Sequence, residues 1–330
     1  MGKPTASDVH VDAMLTTISV ACVQDQSNFV ADRVFPIVRV GKQSDRYFTY
    51  DRGDFNRDEM QKRAPATESA GSEYSIDSSP TYYCDEWAMH EDVPDQVLAN
   101  ADMPLNPFRD ATIFLTLKSL IRREKAFVNS YFKGGVWTND FTGVNSGNDW
   151  ASNTVLRWND DNSTPIKDIR RAKTVIAQST GFMPNVLTLG RPVYDSIIDH
   201  PDLVDRIKYG QTPGSPAIVN RQALAALFEV DRVEVMSAVE NTASKGAAND
   251  HDFIGGKHAM LSYSAPSPGI MVPTAGYTFQ WTGMYGGDSG QRIMNFRMQH
   301  LKATRIEIET CFDQKMVASD LGFFFGNIVV

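Results

Sequence analysis

An α+β fold is predicted for this chain, and three stretches predict it. Residues 104–132 read as one long helix, residues 165–263 alternate helix with strand, and residues 277–312 alternate apolar with polar side chains at the two-residue period of strands. A chain of 330 residues fits about two domains on the usual scale of roughly 150 residues each.

The long helix has an entrance and an exit. Pro104 and Pro107 suit the first turn, where a missing N–H costs nothing, and Asp110 suits the positive end of the helix dipole. Gly134 and Gly135 supply the stop. Ile113, Leu117, Leu120, Ile121, Val128 and Tyr131 recur at three- and four-residue steps, so one apolar stripe is expected opposite Lys118, Arg122, Arg123 and Lys125. Those charges exclude a membrane span.

Ahead of the helix the chain is extended. Residues 8–34 mix helical and extended signals without a clean period, and Val11, Leu15, Ile18 and Val20 read as an arm that packs outside its own segment. From Arg39 to Arg63 there are seven Lys or Arg and five Asp or Glu, whereas Ala64 to Met103 holds nine Asp or Glu and no Lys or Arg. Strand-like runs at Arg46–Tyr50 and Tyr74–Asp77, punctuated by Gly53, Pro65, Gly71 and Pro80, make this a long two-stranded excursion with limbs of different charge. A ribbon of two strands is marginal alone in water, so it calls for a partner surface.

Behind the helix, residues 134–163 read as a loop closed by Ser163 or Thr164 as N-cap and Pro165 at the first helical position. The helix over 165–179 places Ile166, Ile169, Ala172, Lys173 and Ile176 along one side. A buried strand at Val186–Leu189, two helices broken at Pro201, a turn-rich loop over Gly210–Val219, a helix over Arg221–Phe228 and a strand at Val233–Met236 complete a compact α/β unit. The strands at Tyr277–Trp281, Ile293–Met298 and Ala303–Phe312 are expected to return to the face of the long helix.

Catalytic and cofactor signatures are weak. Gly287-Asp288-Ser289-Gly290 matches the tetrapeptide of chymotrypsin-like nucleophiles, which leaves a serine hydrolase using Ser289 as a remote alternative, but Gln291-Arg292 follows and no Ala-His-Cys stretch precedes it. The segment reads better as a glycine-rich hairpin loop. Asp51 to Glu59 lacks the glycine and terminal glutamate of a calcium loop, and neither a phosphate loop nor a dinucleotide turn occurs. No catalytic, cofactor-binding or metal residues and no cofactor are assigned. Cys22, Cys84 and Cys311 are odd in number and unpaired in spacing, which fits a reducing compartment. A signal peptide is not recognised, so a chain made in the cytoplasm is expected. The net charge of −8 is the opposite of what a phosphate-gripping protein carries.

The order of parts resembles the major capsid proteins of tailed bacteriophages, whose fold is shared with herpesvirus capsid floors and encapsulins. The residues that carry the resemblance are Ser27–Pro36 (SNFVADRVFP), Tyr50–Glu59 (YDRGDFNRDE), Ala64–Ser69 (APATES), the segment from Asp92 to Asp102, and His200–Tyr209 (HPDLVDRIKY). The resemblance implies an N-terminal arm over 1–35 and an extended β-hairpin loop over 36–90. It implies a peripheral domain over 91–164 and 266–330 with spine helix 104–132 and β-strands, and an α/β axial domain over 165–265. It implies no enzyme. The implied function is self-assembly, through pentamers and hexamers, into the icosahedral shell of a virion around double-stranded DNA held without sequence-specific binding. Scaffolding, portal and decoration proteins are implied partners, with no membrane contact and with assembly in the host cytoplasm; an encapsulin-like compartment is the nearest alternative. Arg52, Arg57, Asp58, Glu59 and Arg63, with Glu68 on the acidic limb, are the expected inter-subunit contacts, because charges on a ribbon without a core can steer and register its partner.

Overall fold

The computed structural model describes residues 24–101, 105–210, 220–269, 272–283 and 291–330. The arm residues Val11, Leu15, Ile18 and Val20, most of the turn-rich loop and the tetrapeptide around Ser289 lie outside the described residues. After a helical turn, α1 (Ala31–Val34), the chain forms strand β1 (Ile37–Val40) and then a ribbon of β2 (Ser44–Arg46), β3 (Thr49–Tyr50), the turn α2 (Arg52–Phe55), β4 (Ile76–Asp77) and β5 (Thr81–Tyr83). It returns through β6 (Asp85–Pro94) and α3 (Asp95–Ala99) to the long helix α4 (Pro107–Tyr131). Strands β7 (Asn139–Val144) and β8 (Thr154–Leu156) lead to α5 (Pro165–Thr180), β9 (Val186–Gly190), α6 (Arg191–Ile198), α7 (Pro201–Gly210), α8 (Arg221–Phe228) and β10 (Arg232–Met236). A hairpin of β11 (Val239–Asn241) and β12 (His251–Phe253), then β13 (Ala259–Ser262), precede β14 (Gly276–Trp281), β15 (Gln291–Met298), β16 (Ala303–Met316) and β17 (Gly322–Gly326).

Helix α4 starts later than the prolines suggest, because extended Asn106 is its N-cap: the side-chain oxygen accepts from Arg109 N at 3.2 Å, and Pro107 takes the first helical position. The expected single stripe is corrected. Ile113 is 40% exposed, while Ala111, Leu115, Arg123, Glu124 and Phe127 are buried. The physical reason is that α4 is covered from several sides. Ala111 and Leu115 meet Val93, Ile306 and Ile308 of the sheet, and Leu117, Leu120, Ile121 and Val128 pack against Phe29, Ala238 and Ile254. Phe127 joins the main core with Phe35.

The sheet under α4 is built on β16, which pairs antiparallel with β6, β15 and β14, while β1 runs parallel to β14. Strands β1 and β6 therefore anchor the two ends of the ribbon. The ribbon proper spans 41–84, narrower than the expected loop over 36–90.

The second sheet has six strands in the order β10-β9-β13-β17-β7-β8. Its helix α5 buries Ile166, Ile169, Ala172, Lys173 and Ile176, the side read from the sequence. Lys173 is tolerated inside because Nζ donates to the carbonyls of Phe228 and Glu229 at 2.9 and 2.8 Å, capping the end of α8. Two expectations are corrected here. Residues 139–144 and 154–156, read as loop, are strands, held by Phe141 and Val155 in the core. The final strand β17, expected with the 266–330 segment, pairs with β13 and β7 and so belongs to the sheet of the α/β unit. Phe323, Phe324 and Phe325 are all fully buried, which only a central strand covered on both faces permits. Gly322 sits against the Trp137 ring where any Cβ would collide.

Candidate assembly interface

The ribbon consists of two short antiparallel ladders, β2 with β5 and β3 with β4, beyond which residues 56–73 form no ladder. None of the residues from 41 to 81 is buried. Its root is fixed by aromatic contact: Tyr82 stacks on Phe279 with centroids 4.5 Å apart, and Tyr47 lies 5.5 Å from the same ring. Cys84 and Cys311 are free and buried at this root, and burial pushes the Cys84 thiol up to about 12 and the Cys311 thiol up to about 11, so both behave as packing side chains.

The expected contact residues divide into two groups. Arg52 pairs with Asp320 of its own chain and ties the ribbon back to the body. Arg57 lies 3.2 Å from Glu59 and 3.9 Å from Asp54, Glu59 also accepts from the Ser72 hydroxyl, and Arg63 donates to the Thr67 carbonyl. Asp54 further accepts from Ser75 N and Oγ at 2.9 and 2.7 Å, bonds that hold its carboxyl below the usual range. These charges cross-brace a ribbon that has no core. Asp58 and Glu68 are exposed.

Charge was the expected signature of this surface, and its aromatic content was missed. Tyr50, Phe55 and Tyr74 form a triangle of rings at 5.7 to 6.3 Å, and Ile76 stands opposite Tyr50 in the ladder, on the same face. Phe55, Tyr74 and Ile76 are about half exposed, and Met60 is 95% exposed. The signal was present in the spacing: apolar residues in a segment with nothing of its own to bury them.

A serine–histidine contact in the α/β unit is not a nucleophile–base pair. Ser163 Oγ lies 2.9 Å from His200 Nε2, but His200 Nδ1 accepts from Asp202 N and Nε2 faces the Asp160 carbonyl, so Nε2 carries the proton and cannot take one from the serine. Among the described residues no group of three His, Cys, Asp or Glu side chains could hold a metal, and no helix is long and apolar enough to cross a membrane.

No protein-family model matches the chain. The chain is 26% identical over 321 residues to the major capsid protein of Pseudomonas phage JBD67, covering 97% of each. Among solved structures it is similar to a phage-related protein from Bordetella bronchiseptica, with a TM-score of 0.67 and 20% identity over 92% of this chain and 93% of that one. It is also similar to the mature capsid of bacteriophage PhiM1, with a TM-score of 0.58 and 11% identity over 97% of this chain and 92% of that one. The chain therefore has the fold of phage capsid subunits, and the relatives it matches over nearly the full length of both chains are major capsid proteins of phages.

Proposed function

We propose that copies of the chain close, as pentamers and hexamers, into an icosahedral shell that encloses double-stranded DNA without reading its sequence. The observation that supports this most directly is the ribbon: 41 consecutive residues, from 41 to 81, with none buried, projecting from a body that matches capsid subunits over nearly its whole length. Such a segment is marginal until a neighbour covers it. Repetition of one contact around a closed shell lets weak individual contacts suffice. The acidic balance of −8 favours a lining that repels packaged DNA rather than gripping it.

In this reading 1–35 is the arm, 41–84 the loop that overlies a neighbour, α4 with the five-stranded sheet the peripheral domain, and the six-stranded sheet with its helices, β7, β8 and β17 included, the axial domain. Arg52, Arg57, Asp58, Glu59, Arg63 and Glu68 border the contact between copies. The chain acts without catalysis, is assembled in the host cytoplasm, and meets scaffolding, portal and decoration proteins there.

Negative-stain electron microscopy of particles from expressing cells, followed by nuclease treatment of particles from infected cells, tests the proposal. Closed polyhedra holding nuclease-protected double-stranded DNA are expected. Polyhedra filled with protein cargo and lacking DNA would replace the genome shell with a cellular compartment, and absence of any closed particle would overturn the shell.

A further inference from the structure

We propose that Asn145 is a site of spontaneous deamidation, with the Ser146 N–H as nucleophile and Arg157 holding and polarising the amide that is attacked. The reaction needs only the folded subunit and water, so it stands apart from whether copies close into a shell.

Deamidation begins when the backbone nitrogen of the next residue attacks the asparagine Cγ, and a small residue at that position leaves the easiest approach. The chain has no Asn-Gly pair and three Asn-Ser pairs, at 129–130, 145–146 and 162–163. The structure separates the three. Ser130 lies in the last turn of α4, where its N–H is engaged in the helix ladder. Ser163 N donates to the Asp160 carbonyl at 2.9 Å, and Asn162 Nδ2 donates to the Asp160 carboxylate at 3.1 Å. Asn145, Ser146 and Gly147 are exposed in the loop after β7, and the Ser146 N–H donates to no group among the described residues. Gly147, at φ +69° with nothing within 4 Å of where a Cβ would stand, leaves that approach uncrowded.

Arg157 supplies the second ground. Its backbone N donates to the Val144 carbonyl at 3.1 Å and its Nε to the Asn327 carbonyl at 3.2 Å, which fixes the guanidinium beside the loop. Its Nη1 donates to Asn145 Oδ1 at 2.7 Å. That oxygen is where negative charge gathers as Cγ becomes tetrahedral, and a fixed cationic donor there stabilises it. The Ser146 N–Cγ bond forms, the Cγ–Nδ2 bond breaks, and Nδ2 leaves as ammonia with the hydrogen from the Ser146 amide. Water then opens the five-membered imide at either carbonyl, giving an aspartyl or isoaspartyl residue at position 145. Nothing is oxidised or reduced. Each event adds one negative charge beside Arg157, so a hydrogen bond to a neutral amide becomes an ion pair.

The test is peptide mapping by mass spectrometry of the purified full chain held at pH 8 and 37 °C for several weeks, with folding checked by circular dichroism. A gain of one mass unit at Asn145 is expected at least about tenfold faster than at Asn129 or Asn162, whose neighbouring N–H groups are released only by local opening. Ser146→Pro, which removes the N–H, is expected to abolish the gain, and Arg157→Gln to slow it several-fold. In urea the three sites are expected to react at similar rates, and Arg157→Gln to change none of them. No gain at Asn145 in the folded chain, or equal gains at all three sites there, overturns the proposal. An unchanged or faster reaction in folded Arg157→Gln overturns the part given to the arginine.

Discussion

Glu124 is a group through which pH is expected to act on this subunit. It lies on α4, 1% exposed, and its carboxylate accepts from Val30 N on both oxygens, at 3.1 and 3.0 Å, and from Ala31 N at 2.9 Å. The charged groups around it are Asp32 and Arg33 on α1, the former paired with Arg123, the latter with Glu234. Burial outweighs the amide bonds and pushes the carboxyl up to about 7. An unfolded glutamate titrates near 4.3, so the folded state binds more protons and stability falls as pH rises through this window. At 1.36 kcal/mol per unit, the loss between pH 5 and pH 8 is about 2 to 3 kcal/mol. Glu124→Gln keeps an acceptor for the amides, adds an unpartnered NH₂, and removes the titration. Urea unfolding of the unassembled variant and parent subunits at pH 5, 6, 7 and 8 isolates this group from Asp168, which burial pushes up to about 6 and which both chains share. The variant is expected to be the less stable chain at pH 5, with the gap closing or reversing by pH 8. Two curves that stay parallel across the range would refute the reasoning.

Three further outcomes follow from packing. Phe324→Ala removes a fully buried ring from the centre of the six-stranded sheet and is expected to cost about 3 to 5 kcal/mol in urea unfolding, enough to leave little soluble subunit. Lys173→Met leaves the carbonyls of Phe228 and Glu229 without their donor and is expected to cost about 1 to 3 kcal/mol, read as a lowered melting temperature. Asp320→Ala releases Arg52, and because that pair is about one-third exposed the stability change is expected within about 1 kcal/mol, while limited proteolysis should cut the ribbon between 48 and 75 several-fold faster.

How much the sequence disclosed depended on whether a segment's partners were local. Helix α5 was legible because its inward side repeats at the helical period and faces one continuous sheet. The returning strands were legible because Ile306 and Ile308 of β16 are buried against Ala111 and Leu115 of α4 while Arg305 and Glu307 between and beside them are only partly covered, the alternation of Arg305-Ile306-Glu307-Ile308. Helix α4 was legible as a helix and not as a surface, since Arg123 and Glu124 are buried by partners that lie far away in sequence, at Asp32 and Val30. Strands β7 and β8 were unreadable for a related reason. Strand β7 pairs with β17, nearly two hundred residues away, β8 is held only through β7, and the Gly- and Asn-rich sequence around them carries only turn signals. In the ribbon the charge runs were visible but their pairing was not, because Arg57–Glu59 and Arg52–Asp320 depend on how the ribbon bends.

The segment from Val30 to Phe35 explains why the arm's root and the body form one unit. Val30, Val34 and Phe35 are fully buried, and the Phe35 ring lies 5.1 Å from both Phe127 and Tyr131 of α4 and 6.4 Å from Trp137. The Phe35 carbonyl accepts from Thr278 Oγ1 at 3.0 Å in the five-stranded sheet, while Arg33 Nε meets Glu234 at 2.9 Å on β10 of the other sheet. Six residues thus bridge the long helix and both sheets. Glu124 adds a third tie, because its carboxylate accepts from the first two amides of that segment, Val30 and Ala31, and joins them to the middle of α4.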